Sequence, residues 1–231
     1  MAEEKKSVLR HLVFSLLLGA VYLVQMRIPS LFESCALWSE HPRWWQFFTN
    51  GFLSGNLIHL AFNVCGIWFV CSQFASKVRF SFLLLYFILF SAASSFLYFL
   101  WAMPSRATLV GASSGVYSLL GFLSWFLRRN RIGFFGKRWL SAPVLPFMAF
   151  LLILEFFVAK FWIPVLAWQL HVIAFGLSIS TALLAHAVYA LVHWLAEREQ
   201  MIFRKIFRPG AFVFQKIRDF ATVPAEVSNM D

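Results

Sequence analysis

The most constraining feature of this chain is a series of apolar segments, each long enough or nearly long enough to cross a lipid bilayer. They occupy residues 8–26, 57–76, 80–103, 113–127, 142–163 and 167–195. A spanning helix needs about 20 predominantly apolar residues, and its backbone must satisfy its own hydrogen bonds in lipid. We therefore predict an all-α polytopic membrane protein whose residues 1–195 form a six-transmembrane-helix bundle. The short fourth segment must be shielded by its neighbours, which is typical of a helix that lines a cavity.

The charge distribution predicts the orientation of this bundle. The chain is 61% hydrophobic and only 13% charged, with a formal net charge of +10. If successive connections alternate between the two sides, only four of the 20 lysines and arginines fall on one side: Arg27, Arg43, Arg106 and Lys160. Because cytoplasmic loops carry the excess of basic residues, both termini are expected in the cytoplasm. The basic charge is then explained by topology, and the absence of a soluble basic module argues against a nucleic-acid partner.

The segments outside the helices have their own signatures. The connection at residues 27–56 is rich in Trp and Phe, which predicts a first loop partly embedded in the non-cytoplasmic interface. Residues 196–231 begin with basic and apolar side chains in alternation, and we expect a basic amphipathic cytoplasmic tail that binds anionic membrane lipids. The amino terminus lacks a small-residue cleavage site, so we expect the first helix to be retained. Cys35, Cys65 and Cys71 match no zinc or disulfide framework and are interpreted as packing residues.

Polar side chains inside the predicted spans indicate a functional site. His59 and Asn63 lie one turn apart near the start of the second helix, Ser113 begins the fourth, and His171 lies in the first turns of the sixth. Since these three helices all enter from the outer face, the four residues are expected at one depth just below it. Buried polar groups in a membrane are costly and point to function by default.

These residue types suit acyl transfer. A serine hydroxyl needs a neighbouring base, for which His171 is the candidate, and the developing oxyanion needs hydrogen-bond donors. The backbone N–H of Ser113 at a helix start, the Asn63 amide and the His59 imidazole could supply them. The small residues from Gly111 onward suit close backbone approach, although such clusters in membrane helices are also typical of packing faces.

The predicted chemistry needs neither a metal nor another cofactor. The only acidic residue of the fifth helix, Glu155, lies toward its outer end, and its spacing does not direct it at the site. A Ser-His dyad is therefore predicted rather than a triad.

The motifs carry a family resemblance over roughly residues 45–180. The sequence Leu-Ile-His-Leu-Ala-Phe-Asn at 57–63, Gly-Ala-Ser at 111–113 with Tyr117, and His171 in the last core helix resemble the rhomboid intramembrane serine proteases. The resemblance implies that Ser113 is the nucleophile and His171 the general base, that His59 and Asn63 assist the oxyanion, and that Tyr117 packs against His171.

Several positions depart from the family pattern. Ser114 stands where the motif has glycine, so two serines compete for the nucleophile role. Ser113 is preferred because it retains the preceding Gly111 and the four-residue step to Tyr117. Gln46 replaces the arginine of a Trp-Arg pair, and Ser54 replaces a second histidine. Ala174 replaces a glycine, yet forms a small-residue face with Ser178 that could approach the small residues of the fourth helix, Gly115, Ser118 and Gly121.

The leading hypothesis is an intramembrane serine protease that cleaves transmembrane protein substrates near their outer boundary, with the fifth helix and its Pro143 and Pro146 as a lateral gate. A rhomboid-like pseudoprotease that binds transmembrane helices without cutting them, and a small transporter, are the alternatives. The minimal core favours a bacterial inner membrane, with the active site toward the outer face.

Overall fold

The fold is mostly helical. The computed structural model describes residues 2–74, 78–127, 131–134, 137–161 and 167–198. In chain order the elements are α1 (Ala2–Arg27), α2 (Pro29–Cys35), β1 (Leu37–Trp38), α3 (Gln46–Thr49), a 3₁₀ helix (Asn50–Phe52), α4 (Leu57–Phe74), α5 (Phe80–Trp101), β2 (Thr108–Leu109), α6 (Ser113–Phe126), β3 (Arg131–Phe134), β4 (Lys137–Pro143), α7 (Val144–Phe161) and α8 (Trp168–Arg198). The first three residues of the predicted amphipathic tail, 196–198, belong to α8, and the rest of it, residues 199–231, lies outside the described residues.

A helix occupies each of the apolar segments, and by length and composition the described residues contain three to five candidate spans, which does not confirm the predicted six. Within the described residues, α5, α7 and Trp168–Leu195 of α8 are each long and apolar enough to cross a membrane. Two bent pairs, α1 with α2 and α3 with α4, would raise the number to five; their axes turn by 115° and 92°. The 14-residue α6 is only about 21 Å long, too short to cross alone.

The mostly helical fold agrees with the predicted all-α class, and the described residues also contain two short antiparallel strand pairs. β1 pairs with β2, with Leu37 opposite Leu109, and β3 pairs with β4 in the predicted cytoplasmic connection. In such antiparallel pairs, the backbone N–H and C=O groups of the two extended segments bond to each other. The β1–β2 pair ties the first loop to the segment that leads into α6.

The centre of the bundle is α6. Nine of its residues are buried: Ser114, Gly115, Val116, Ser118, Leu119, Leu120, Gly121, Leu123 and Ser124. It packs against α4, α5 and α8. The prediction that neighbouring helices shield this short helix is therefore confirmed, as backbone donors at its start could not face lipid.

The first loop is a folded unit that packs on α5. The Phe47 ring lies edge-on to Phe96 and Phe99, with centroids 5.4 and 5.7 Å apart. The buried Gln46 accepts a hydrogen bond from the Arg43 backbone N–H at 2.9 Å, so the glutamine closes the turn before α3. Trp44, by contrast, is 73% exposed, which suits an aromatic side chain at the membrane interface.

The three cysteines lie within the described residues, and none of them forms a disulfide. Cys71 is buried, in agreement with its interpretation as a packing residue, and Cys35 is half-buried. Cys65 is exposed on α4, so the packing interpretation is wrong for that residue. An apolar segment does not reveal which of its faces turns inward, and this face of α4 turns outward.

Candidate active site

The hydroxyl of Ser113 meets the imidazole of His171. Ser113 is the first residue of α6, His171 lies in the first turn of α8, and the distance from Oγ to Nε2 is 2.7 Å. The histidine is 5% exposed, while the serine is only partly buried. A serine within hydrogen-bond reach of a shielded imidazole is the arrangement that nucleophilic catalysis requires.

Small residues bring α6 and α8 close enough for this contact. A Cβ added at Gly121 would lie 2.6 Å from the Phe175 carbonyl oxygen. Ser178 donates a hydrogen bond to the Ser118 carbonyl at 2.6 Å, and Ser118 donates a long one of 3.4 Å to the Ala174 carbonyl. The two helices therefore run in parallel, and the predicted small-residue contact is present at these positions.

Gly115 does not belong to this contact, which corrects the sequence-based prediction. A Cβ at Gly115 would lie 2.3 Å from the Phe87 ring of α5. The reason is helical geometry: two residues beyond Ser113, a side chain has rotated by about 200° around the helix axis. Gly115 thus lets α5 approach α6 on the side away from His171.

Gly111 adopts a backbone conformation that other residues rarely adopt. Its φ is +134°, and a Cβ there would lie 2.5 Å from His59 Cε1 and 3.5 Å from Ser113 Oγ. Its N–H donates to the Asn50 carbonyl at 2.9 Å. The glycine therefore permits the turn into α6 and lets the His59 ring sit beside the serine.

The hydrogen bonds of His59 indicate which ring nitrogen carries the proton. The Gly55 N–H donates to His59 Nδ1 at 3.3 Å, so Nδ1 is the acceptor and Nε2 carries the hydrogen of the neutral ring. Nε2 is the atom that would lie 2.8 Å from a Cβ on Gly111. His59 thus directs a hydrogen-bond donor toward the start of α6.

Asn63 lies further along α4, next to α6. A Cβ at Gly66 would lie 2.8 Å from Val116 Cγ1, and both residues follow Asn63 and Ser113 by three positions. Asn63 is therefore level with Ser113. Its side chain is 4% exposed, and its Nδ2 has no hydrogen-bond partner among the described residues. A buried donor left unpaired is costly and calls for an explanation.

Ser114 is directed away from this cluster. It is fully buried, and its Oγ lies 2.7 Å from the Ser91 Oγ of α5. The hydroxyl occupies the space between α5 and α6 rather than the side facing His171. The serine that replaces the motif glycine is thus accommodated between α5 and α6, where its hydroxyl is hydrogen-bonded to Ser91.

The Tyr117 ring lies flat on the imidazole of His171. The ring centroids are 4.4 Å apart and the planes differ by 5°. Since Tyr117 follows Ser113 by one helical turn, α6 presents both the hydroxyl and the supporting ring to the same histidine. The packing that the family resemblance implied is present.

Glu155 is the site residue that sequence reasoning missed. Its carboxylate Oε1 contacts His171 Nδ1, which corrects the expectation that it does not reach the site. The spacing of Glu155 within α7 could not show how α7 is rotated against α8. One signal was available, because a lone carboxylate in an apolar span is a functional candidate by default.

Ser54, the other departure, is held by the first helix. The Gln25 side chain of α1 donates from Nε2 to the Ser54 carbonyl at 2.6 Å and accepts from the Ser54 N–H at 3.1 Å. This pair connects α1 to the loop that enters α4.

The part of the chain described by the structure contains no group of three or more His, Cys, Asp or Glu placed to hold a metal ion.

A mostly helical bundle of apolar, membrane-length helices, together with the domain match that follows, supports the class of intramembrane protease-type proteins. The sequence model of the rhomboid domain matches residues 41–188, and the chain belongs to the rhomboid family. The match covers α3 to most of α8 and so includes every residue of the cluster. A comparison with curated proteins gives no significant match.

Proposed function

We propose that this protein is an intramembrane serine protease that hydrolyses a peptide bond in or near a transmembrane segment of a membrane-protein substrate. The observation that carries the proposal is the 2.7 Å contact between Ser113 Oγ and His171 Nε2 at the starts of α6 and α8. Ser113 rather than Ser114 is the proposed nucleophile, because Ser114 is buried against Ser91.

The reaction proceeds through an acyl-enzyme. As Ser113 Oγ attacks the substrate carbonyl carbon, its proton passes to His171 Nε2 and the carbonyl oxygen becomes an oxyanion. The tetrahedral intermediate collapses, the C–N bond breaks, and the histidine gives the proton to the leaving amine. A water molecule then attacks the ester and loses a proton to the same nitrogen. As the bond between the acyl carbon and Ser113 Oγ breaks, the histidine returns that proton to Oγ and the new carboxylic acid is released.

Three donors are available for the oxyanion. They are the backbone N–H of Ser113, which has no intrahelical partner at a helix start, His59 Nε2 and the unpaired Asn63 Nδ2. Binding an oxyanion would explain why Asn63 keeps a buried donor without a partner. Donors fixed in advance around a developing charge are a large source of rate enhancement.

The substrate must present an unwound backbone. A peptide within a transmembrane helix is fully hydrogen-bonded and cannot reach Ser113 until the helix is broken. We therefore expect substrates with helix-weakening residues and a small side chain before the cut. We propose entry beside α7, because this helix borders the site through Glu155 and exposes phenylalanines such as Phe150 and Phe157 on its surface.

The proposed setting is a bacterial inner membrane. In this proposal both termini lie in the cytoplasm, the site faces the outer surface, and the tail at residues 196–231 binds lipid. The distribution of basic residues supports this orientation. The proposed substrates are transmembrane proteins, and the bundle is surrounded by membrane lipids.

The test compares Ser113→Ala with Ser114→Ala in the purified full-length protein, using one transmembrane substrate in detergent and a fluorophosphonate probe. Ser113→Ala is expected to lower cleavage by at least about 1,000-fold and abolish labelling. Ser114→Ala, the matched control, is expected to keep both within a few fold. Cleavage that survives in Ser113→Ala would overturn the proposal. A wild-type protein that binds substrate helices without cleavage or labelling would favour the pseudoprotease, and solute flux surviving loss of both Ser113 and His171 would favour a transporter.

A further inference from the structure

The carboxylate of Glu155 is buried within α7, whose other charged residue, Lys160, lies in the last turn of the helix. Its side chain is 10% exposed, and among the described residues its Oε2 has no hydrogen-bond partner. The Tyr117 side chain lies next to the same carboxylate. A buried carboxylate is expensive in a membrane unless a specific partner compensates it, and here the compensating partner is His171.

The two ring nitrogens of His171 have different neighbours. Nε2 meets Ser113 Oγ, and Nδ1 meets Glu155 Oε1. The three side chains therefore form a continuous series from three helices, α6, α8 and α7. An ionised carboxylate is an acceptor only, so the hydrogen of the neutral imidazole must lie on Nδ1. The lone pair of Nε2 is then left facing the serine hydroxyl.

We propose that Glu155 is a positioning residue that completes a Ser113–His171–Glu155 triad. It holds the imidazole in the tautomer that can accept the serine proton, and it stabilises the imidazolium that forms during attack. This inference rests on the proposed protease function and adds a third member to its dyad. The carboxylate acts through the histidine, since it contacts Nδ1 and not the Nε2 atom that meets Ser113.

The decisive variants are Glu155→Gln and Glu155→Asp. Glutamine has nearly the same shape, but its amide can donate to Nδ1 and so favour the opposite tautomer, with the hydrogen on Nε2. We expect Glu155→Gln to lower kcat by about 100-fold or more while KM changes by less than about threefold. Glu155→Asp keeps the charge on a shorter side chain and is expected to recover at least about tenfold of that loss. Glu40→Gln, which alters an exposed carboxylate paired with Arg106, is the matched control and should leave kcat unchanged.

A measurement on the wild-type protein makes the test independent of variant folding. With ¹⁵N-labelled histidine, NMR at mildly alkaline pH should show His171 with its hydrogen on Nδ1, and His171→Gln assigns the signal among the six histidines. An Nε2–H tautomer overturns the proposal. A kcat of Glu155→Gln equal to that of the wild type also overturns it. If the Gln and Asp variants lose kcat and thermal stability to the same extent, Glu155 has a merely structural role and the proposal is overturned as well.

These outcomes separate this inference from the protease assignment. If Ser113→Ala is inactive and Glu155→Gln is fully active, the Ser113–His171 dyad is supported and the positioning role of Glu155 is refuted. If Ser113→Ala retains cleavage, the proposed function fails, whatever the Glu155 variants do.

Discussion

The imidazole of His171 lies parallel to the phenol ring of Tyr117, with centroids 4.4 Å apart and planes within 5°. The stack fixes one face of the ring, while the contacts of its two nitrogens fix its rotation. A base held in this way needs little reorganisation before it accepts a proton, which is how preorganised sites lower a barrier.

The stack leads to a prediction for Tyr117. Tyr117→Phe retains the ring and should keep kcat within a few fold of wild type. Tyr117→Leu removes the aromatic face, leaves the imidazole free to tilt, and should lower kcat by about 10- to 100-fold, because a misplacement of about 1 Å can cost that much. Initial rates on one transmembrane substrate check the prediction, and equal activity of the two variants would contradict it.

Asn63 is predicted to matter for rate and not for stability. Asn63→Ala should lower kcat by about 100- to 1,000-fold, the loss expected for one oxyanion donor. Its thermal midpoint should stay the same or rise, because the variant removes a buried donor that has no partner among the described residues. Turnover and a thermal melt in the same detergent measure the two effects. A lowered midpoint with unchanged kcat would show that the amide serves the fold.

Gly111 is predicted to tolerate no side chain. Gly111→Ala places a Cβ 2.5 Å from His59 Cε1 at a φ of +134°, so either the turn or the histidine must move. Cleavage and fluorophosphonate labelling should both fall by at least about tenfold, since such shifts at a site are costly in rate. Gly55→Ala is the control, because its Cβ would make an ordinary 3.6 Å contact with the His59 Nδ1 atom. Equal tolerance of both substitutions would contradict the prediction.

The α6–α8 contact gives a matched pair of glycine substitutions. Gly121→Ala puts a Cβ 2.6 Å from the Phe175 carbonyl oxygen. Because this oxygen belongs to the backbone, one of the two helices must shift to remove the clash, so the melting temperature and the activity should both fall. Gly176→Ala meets nothing within 4 Å and should be neutral or stabilise α8 by about 0.5–1 kcal/mol, since alanine favours a helix. Thermal melts of both variants test this, and the reverse order of stability would refute the packing argument.

Gln25 is predicted to stabilise the protein from outside the site. Gln25→Leu leaves the Ser54 N–H and carbonyl without their side-chain partner, at a cost of about 1–3 kcal/mol for each buried group that stays unpaired. A fall in the thermal midpoint with kcat largely retained at low temperature is the expected result. Loss of kcat without loss of stability would mean that the loop before α4 acts in catalysis.

Much of this protein was determined by its sequence alone. The apolar segments predicted the helices, because a backbone in lipid has no other way to satisfy its polar groups. The polar residues at 59, 63, 113 and 171 were found for the same reason, since each stands out where burial of a polar group is costly. The packing of Tyr117 against His171 was predicted by the family resemblance.

Only the tertiary structure decided the relationships that depend on how one helix is rotated against another. It brought Glu155 to His171, turned Gly115 toward Phe87 and bonded Ser114 to Ser91. Periodicity identifies a face within one helix, but α7 is apolar on nearly every side. Apart from its lone carboxylate, its sequence does not indicate how α7 is rotated against α8. That rotation is set by the close packing of neighbouring helices, which appears only when all of them are assembled.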